Sequence, residues 1–167
     1  MELLEGIYSR RSQRHFTGEP VARDQLVEIV RAGTWAPSGL NNQPWRFVIV
    51  TDGSVRDRMA ELTKYSRIVR EATACLAVFI DREVMYHEVK DHQAMGACLQ
   101  NMLLAAHALG LGAVWLGEIL KSAVKVRELL ELPENLDLMA VVAVGHPSEW
   151  KETSRRREVS EVLLKEI

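Results

Sequence analysis

Residues 91–109, Asp-His-Gln-Ala-Met-Gly-Ala-Cys-Leu-Gln-Asn-Met-Leu-Leu-Ala-Ala-His-Ala-Leu, have the strongest helical pattern in the chain. Apolar side chains recur at i, i+3, i+4 and i+7, the spacing that places them on one face of an α-helix. Alanines cover much of the remaining surface, which predicts a helix that is buried on most of its sides. The segment Gly110-Leu111-Gly112 is expected to end it, because glycine commonly terminates helices.

Shorter elements surround this helix on both sides. Continuous apolar runs predict β-strands at residues 46–51, 75–80, 113–117 and 138–144. Helical spacing predicts further helices at residues 2–9, 23–34, 54–63 and 122–132. Residues 65–71 have no clear periodicity, and the polar residues 81–90 are predicted to form a loop.

The composition is that of one water-soluble globular domain. The chain has 167 residues, of which 47% are hydrophobic and 26% are charged, and its formal net charge is −2. This charge gives no electrostatic case for nucleic acid or an anionic membrane as partner. No segment approaches the roughly 20 apolar residues that span a bilayer, and the N-terminus lacks the pattern of a signal peptide.

Sequence motifs exclude several common classes of enzyme. The five histidines are scattered, so no metal site is predicted. No Gly-x-Ser-x-Gly elbow, GxGxxG fingerprint or Walker loop is present. Cys75 and Cys98 lie far apart in apolar segments, which predicts buried free thiols in a reducing cytoplasm.

Residues 36–45, Ala-Pro-Ser-Gly-Leu-Asn-Asn-Gln-Pro-Trp, form an unusual connection before the first predicted strand. Its two prolines stiffen the backbone, and its adjacent Asn-Asn-Gln places amide donors and acceptors side by side. A rigid loop of this kind suits a planar ligand with polar edges. The same residues also suit an ordinary proline-rich turn with self-capping asparagines.

Basic residues concentrate at both ends of the chain. Residues 10–14 read Arg-Arg-Ser-Gln-Arg, and arginine forks bind phosphate oxygens in bidentate fashion. A solvated basic turn is the alternative interpretation. The tail from residue 150 contains three consecutive arginines and then several apolar residues. These apolar residues require a cover, either from the same domain or from a partner chain.

Three motifs, taken in chain order, closely resemble the nitroreductase family of FMN-dependent oxidoreductases. They are Arg10-Arg11-Ser12-x-Arg14, Ala36-Pro37-Ser38-x-x-Asn41-x-Gln43-Pro44-Trp45 and Gly110-Leu111-Gly112-Ala113-Val114-Trp115-Leu116-Gly117. The Gly145-His146-Pro147 segment and the arginine-rich tail fit the same pattern. The resemblance extends over nearly the whole chain, from Leu4 to about Leu163.

The resemblance implies an α+β fold, in which helices flank a central, mostly antiparallel sheet within one domain, residues 1–167. It also implies an intertwined homodimer with two FMN sites at the interface. The long helix would then lie in the dimer core, and the tail, residues 150–167, would extend onto the partner subunit's sheet.

The resemblance also assigns FMN-binding residues by position. The phosphate and the polar edge of the flavin would be held by Arg10, Arg11, Ser12 and Arg14. Arg10 is the phosphate candidate, and Arg14 is the candidate for stabilising the anionic reduced flavin. The other subunit would contribute Pro37, Ser38, Asn41 and Gln43, while Leu116 and Gly117 would lie near the flavin ring. The tail would add Arg155 and Arg157 to the phosphate, although Glu158 stands where relatives commonly have proline, which leaves the register of the tail open.

The activity implied by the resemblance is ping-pong reduction. NADH or NADPH would deliver hydride to flavin N5 and leave, and an electron-poor acceptor such as a nitroaromatic, a quinone or a free flavin would then be reduced. The cofactor carries this chemistry, so no catalytic acid–base pair is assigned.

The brief segment 81–90 implies an open, shallow site, because larger members have a helical excursion there. A flavin-binding or storage homodimer with little turnover is the alternative, since no residue pattern identifies a nicotinamide site. A structural homodimer that has lost its cofactor is a third possibility.

Overall fold

The computed structural model describes residues 2–151 and 153–167. Met1 and Glu152, which belong to the predicted domain and tail, lie outside the described residues. The α-helices are α1 (Leu3–Ser9), α2 (Arg23–Thr34), α3 (Gly53–Ala60), α4 (Ser66–Glu71), α5 (Glu88–Ala108), α6 (Ala123–Leu129) and α7 (Val159–Val162). The strands are β1 (Trp45–Val50), β2 (Ala74–Asp81), β3 (Gly112–Leu116) and β4 (Leu136–Gly145). Short 3₁₀ helices occupy Gly39–Asn41 and Glu118–Ser122.

The four strands form one sheet in the order β1-β2-β4-β3, and every pairing is antiparallel. The two central strands pair over most of their length, with Leu76 opposite Val142. Strand β3 aligns Gly112 with Gly145 at its start. The α+β class and the antiparallel sheet expected from the sequence are therefore confirmed.

Helices cover both faces of the sheet, so the sheet lies between two apolar layers. Alternate residues of β2 point to opposite faces, as the period of two in a strand requires. Leu76 and Val78 pack with α2 and α5 on one face, while Ala77 and Phe79 pack with α3, α4 and α6 on the other. Every residue of β2 is buried, which explains why this strand has a continuous apolar run rather than an alternating one.

The predicted elements are present, and the differences lie mainly at their ends. The predicted helix 122–132 begins with a 3₁₀ turn, and its α-helical part ends at Leu129. Glu131 has a φ of 54°, and this left-handed conformation prevents the helix from continuing. Residues 65–71, which have no clear periodicity, contain α4. The connection from β2 to α5 is shorter than predicted, because α5 begins at Glu88.

The tail projects apolar side chains into solvent. Helix α7 is held by a reciprocal capping box between Glu158 and Glu161. Val159, Val162 and Leu163 are exposed, and Leu164 is 95% exposed. The rest of the protomer therefore leaves these apolar side chains uncovered. Exposed apolar clusters of this kind are typical of a segment that packs on another chain.

Both cysteines are expected to be unreactive in the folded protein. Cys75 and Cys98 are fully buried, and burial raises the pKa of each thiol to about 12. A raised pKa keeps a thiol protonated at neutral pH, and the thiolate is the reactive form. Ellman's reagent should therefore label neither cysteine in native protein and both in denaturant. Rapid labelling of native protein would contradict this burial.

Candidate functional site

A cluster of cations forms where the chain leaves α1 and meets the tail. The cavity there has a volume of about 240 Å³ and is lined by Arg10, Arg11, Ser12, Arg14, Lys151, Ser154 and Arg156. This described lining contains five cationic side chains and no carboxylate. An anion is the group that such a lining accepts, and several charge-assisted hydrogen bonds are available to it.

Arg10 provides the most direct evidence for an anion site. Its Nε and Nη1 are buried and have no hydrogen-bond partner among the described residues. Buried polar groups are normally paired, so such atoms call for an explanation in an otherwise well-packed protein. Burial, with Arg156 and Arg11 nearby, lowers the pKa of Arg10. An arginine nevertheless stays charged at neutral pH, and a bound anion would supply its missing partner.

The other residues of the Arg-Arg-Ser-Gln-Arg stretch are held in place locally. Arg11 donates through Nη1 to the carbonyl of Tyr8 at 2.6 Å and to that of Arg10 at 2.9 Å. Arg14 donates through Nη1 to the carbonyl of Ser12 at 3.4 Å. Ser12 and Arg14 also line a neighbouring cavity of about 520 Å³, together with Trp150. The cation cluster therefore borders a larger space that has an aromatic wall.

The structure brings a different part of the tail to the cavity than the sequence predicts. Arg156 lines it, together with Lys151 and Ser154, and none of these three is a predicted ligand. Arg155 and Arg157 line a separate cavity of about 330 Å³ with Arg156 and Glu161. The assignment of Arg155 and Arg157 to the phosphate stays a prediction. Glu158 stands where relatives commonly have proline, so the alignment of the tail is open. A shift of one residue would place Arg156 at the position predicted for Arg155 or Arg157.

The 36–45 loop has a strained and exposed tip. Leu40, Asn41 and Gln43 have φ values of 55°, 55° and 47°. Non-glycine residues in this region cost about 1–3 kcal/mol each, and they concentrate at functional sites. Leu40 is 85% exposed, so burial of its own side chain does not offset the strain. The Ser38 hydroxyl helps to hold the shape, accepting from the backbone N–H of Gln43 at 3.1 Å.

Asn42 and Asp91 fasten this loop to the start of α5, a role that the sequence analysis did not identify. The Asn42 side-chain amide donates to Asp91 Oδ1 at 2.7 Å and to the Val84 carbonyl at 3.1 Å. Asp91 Oδ2 accepts from the backbone N–H groups of Tyr86 and His87 at 2.9 and 2.8 Å. Burial raises the pKa of Asp91, but these hydrogen bonds outweigh it and lower the pKa overall.

Within one protomer the loop and the cation cluster line different cavities. Pro37 and Ser38 line a cavity of about 250 Å³ with residues of α5. The cation-cluster cavity has no described lining residue in common with it. Asn41 and Gln43 are exposed on the same loop. Within one protomer Pro37 and Ser38 therefore do not share a cavity with the cation cluster.

The third predicted motif ends in an open position. The Leu116 side chain is buried in the core, while Gly117 is exposed. A Cβ built on Gly117 would meet no heavy atom within 4 Å, so the space beside its backbone is free. Glu118 fixes the following turn, because its carboxylate accepts from the Thr63 hydroxyl at 2.6 Å and pairs with Lys121 at 2.5 Å. The bonds from Lys121 and Thr63, with the Lys64 amide, lower the pKa of Glu118 to about 2.

Two further kinds of feature are absent from the described residues. These residues contain no group of three or more His, Cys, Asp or Glu placed to hold a metal ion. The described helices also include none with the length and apolar character needed to cross a membrane. The cation cluster, the strained 36–45 loop and the free space beside Gly117 are therefore the structural features that indicate a function.

Comparisons with known proteins identify the family. A profile described as the nitroreductase family matches residues 7–72 and 62–146. An Archaeoglobus fulgidus protein, named as an NADH dehydrogenase/NAD(P)H nitroreductase, is 34% identical over 157 residues, covering 90% of this chain and 88% of that protein.

Solved structures agree with this match. A Desulfovibrio desulfuricans protein, described as a nitroreductase and solved in complex with FMN, has a TM-score of 0.94 and 50% identity, over 100% of this chain and 98% of that one. The NADPH:FMN oxidoreductase of Vibrio harveyi, solved with NAD⁺, has a TM-score of 0.86 and 31% identity, over 98% of this chain and 76% of that one. The family indicated by the three sequence motifs is thus confirmed: the chain belongs to the nitroreductase family.

Proposed function

We propose that the protein is an FMN-dependent NAD(P)H oxidoreductase. The observation that carries this proposal is that Arg10 has two buried guanidinium nitrogens without a partner among the described residues, in a cavity whose described lining consists of cationic and hydroxyl side chains. The 5′-phosphate of FMN is a dianion, and it would satisfy those nitrogens. Relatives named as an NADPH-flavin oxidoreductase and an FMN reductase, and the FMN complex of the Desulfovibrio protein, support the same cofactor.

The chain's residues fit FMN beyond its phosphate. Arg10, Arg11 and Ser12 would hold the phosphate, with Lys151 and Arg156 closing over it from the tail. Arg14 lines both the phosphate cavity and the larger neighbouring one. We assign it to neutralising the negative charge that reduction adds to the flavin. The free space beside Gly117 allows a planar ring to approach the backbone there.

The chemistry that bound FMN supplies is transfer of two electrons from NADH or NADPH to an electron-poor acceptor. The protein's contribution is to bind, orient and leave one ring face open. We propose that donor and acceptor use this face in turn, which gives ping-pong kinetics with nitroaromatics, quinones or free flavins. The short connection between β2 and α5 leaves the site open, which suits a broad range of acceptors.

We propose that the active form is an intertwined homodimer. Pro37, Ser38, Asn41 and Gln43 line a region separate from the cation cluster within one protomer, so the partner's loop would complete each site. Exposed apolar residues on α1 and on the tail, such as Leu3 and Leu164, would be covered in the same assembly. Arg155 and Arg157 remain candidate contacts from the tail.

Flavin content and reduction test this function directly. Purified protein should bind FMN added in equimolar amount, and anaerobic NADH or NADPH should bleach the flavin absorption. Protein that binds FMN but is bleached by neither nicotinamide would instead be a flavin-binding or storage protein. Protein that binds no FMN would refute both.

A matched pair of variants tests which tail arginine contacts the phosphate. Arg156→Ala should weaken FMN binding by about tenfold or more, because one charge-assisted hydrogen bond contributes about 1.5–3 kcal/mol. Arg155→Ala removes the same charge one residue away and should change the Kd for FMN by less than about threefold, because Arg155 does not line the cavity with Arg10. Quenching of flavin fluorescence measures both values. A larger loss in Arg155→Ala than in Arg156→Ala would reverse the assignment.

A further inference from the structure

We infer that Gln13 is a positioning residue that holds the basic tail over the phosphate cavity. This inference rests on the proposed FMN function and extends it to a residue that the three motifs do not specify. Gln13 occupies the variable position of Arg10-Arg11-Ser12-x-Arg14, where the motif specifies no residue. It is nevertheless only 3% exposed, which is unusual for a glutamine beside a cluster of charged residues.

The Gln13 side-chain amide bonds to both backbone polar groups of Lys151. Oε1 accepts from the Lys151 N–H at 3.0 Å, and Nε2 donates to the Lys151 carbonyl at 3.4 Å. A side-chain amide has the geometry of a peptide group, so this pair imitates one rung of a β-ladder. The two residues are 138 positions apart, so the contact joins the start of the chain to its tail.

Gln13 is itself fixed to the sheet and therefore offers a firm anchor. Its backbone N–H donates to the carbonyl of Ala113 in β3 at 3.0 Å. A Cβ built on Gly112 would lie 2.9 Å from the Cβ of Gln13, so the two backbones approach closely. The absence of a side chain at Gly112 leaves the room that Gln13 occupies.

The anchor extends an antiparallel pairing between residues 15–17 and residues 146–148. The Thr17 N–H donates to the His146 carbonyl at 2.9 Å, and the Ser148 N–H donates to the His15 carbonyl at 3.1 Å. Gln13 adds a contact three residues beyond Ser148. The tail is thereby fixed at Lys151 before it reaches Arg156.

This anchor limits where Arg156 can lie. From Ser148, eight residues of extended chain reach roughly 29 Å, whereas from Lys151 five residues reach roughly 18 Å. The volume accessible to Arg156 therefore falls about fourfold, and its effective concentration at the phosphate rises correspondingly. Loss of the anchor should weaken the tail's contribution to phosphate binding and leave the flavin ring's contacts intact.

The test compares FMN with riboflavin, which has the same ring and ribityl chain but no phosphate. Gln13→Met keeps the length of the side chain and removes both hydrogen bonds. It should raise the Kd for FMN about fourfold, in line with the change in effective concentration, while the Kd for riboflavin changes less than twofold. In an Arg156→Ala background the same substitution should change the Kd for FMN less than twofold, because the group that it positions is absent.

A second pair of variants tests the same contact by changing Lys151 instead of Gln13. Lys151→Pro removes the charge and the backbone N–H that Gln13 accepts, and Lys151→Ala removes the charge alone. Lys151→Pro should bind FMN about threefold more weakly than Lys151→Ala, with equal riboflavin affinities.

Three results would overturn the inference. One is that Gln13→Met binds FMN as tightly as the wild-type protein and Lys151→Pro binds it as tightly as Lys151→Ala. Another is an equal loss of FMN and riboflavin affinity, which would mark Gln13 as a general structural support. The third is that Gln13→Met weakens FMN binding by the same factor in the Arg156→Ala background as in the wild-type protein. These results leave wild-type FMN binding intact, whereas wild-type protein that binds no FMN would refute the proposed function as well.

Discussion

Replacing Asp91 with Ala is expected to lower the free energy of unfolding by about 2–4 kcal/mol, from the loss of three hydrogen bonds to a buried carboxylate. The Asp91 side chain is fully buried and is bonded to the Asn42 amide and to the backbone N–H groups of Tyr86 and His87. Hydrogen bonds to a charged group are among the stronger ones in proteins. Alanine would leave all three donors without their acceptor.

The effect should extend to the strained loop. Asn42 is the residue through which the loop is tied to Asp91, and its neighbours Asn41 and Gln43 hold left-handed φ values. Strained residues keep their conformation only while surrounding contacts impose it. Asp91→Ala should therefore also weaken the binding of flavin, to which the loop contributes in the proposed dimer. Riboflavin affinity should fall together with FMN affinity, because this loop lies apart from the phosphate cavity.

The pH dependence of stability provides an independent check on Asp91. Its pKa is lowered in the folded protein, because its hydrogen bonds to His87, Asn42 and Tyr86 outweigh the effect of burial. A carboxyl with a lowered folded pKa contributes stability above its unfolded pKa of about 3.9, and this contribution is lost as the pH falls through the folded pKa. Asp91→Asn should therefore show a shallower loss of stability below about pH 4 than the wild-type protein.

Denaturant unfolding measures these changes, and an exposed aspartate supplies the control. Asp57 lies on α3, where its carboxylate is 3.7 Å from Arg70. Asp57→Ala should change stability by less than about 1 kcal/mol, as is usual for surface ion pairs. Equal effects of the Asp57 and Asp91 substitutions would show that the buried hydrogen bonds add nothing.

The helices and strands could be predicted because their signals are local. Residues 91–109 keep a regular apolar period, and α5 spans Glu88–Ala108. The run at residues 75–80 is apolar throughout, and β2 is buried throughout. Periodicity reports which face of an element is buried, and in these segments the tertiary structure agrees with it. The short helix α4 carries too few turns for such a period to emerge.

The supports of the site could not be predicted, because they join residues that are distant in sequence. Gln13 meets Lys151 across 138 positions, and Asn42 meets Asp91 across 49. No local pattern distinguishes a glutamine or asparagine that makes such a bond from one that faces solvent. The left-handed conformation of Leu40 is equally hidden, since leucine does not favour it. The motif residues themselves were identified by their resemblance to a family.

The tail illustrates where a motif is insufficient. Three consecutive arginines indicate a basic segment, but only one of them lines the cavity with Arg10. The choice depends on where the chain is fastened upstream, at Lys151, and on the direction of each side chain along an extended backbone. The sequence therefore predicts that the segment is basic, whereas the contact between Gln13 and Lys151 has to be known before Arg156 can be assigned to the cavity.

Replacing Arg10 with Ala is expected to weaken FMN binding by about 1.5–3 kcal/mol, the contribution of a hydrogen bond to a charged group. This is roughly a 10- to 150-fold increase in Kd. The physical reason is the state of the free protein, in which Nε and Nη1 of the half-buried Arg10 are already buried and have no partner among the described residues. These two atoms are therefore dehydrated before FMN arrives, so that part of the desolvation cost does not reduce the affinity.

Matched measurements separate this effect from a general loss of positive charge. Arg10→Lys keeps the charge but not the planar fork, and it should recover only part of the affinity. Arg58→Ala removes a cation from α3, where it lines a different cavity with Lys125 and Glu128, and it should leave the Kd for FMN within about twofold of wild type. Riboflavin affinity should be unchanged in all three variants, because the two Arg10 variants alter only the interaction with phosphate and Arg58 lies at a different cavity. Wild-type FMN affinity in Arg10→Ala would remove Arg10 from the site, and with it the observation on which the proposed function rests.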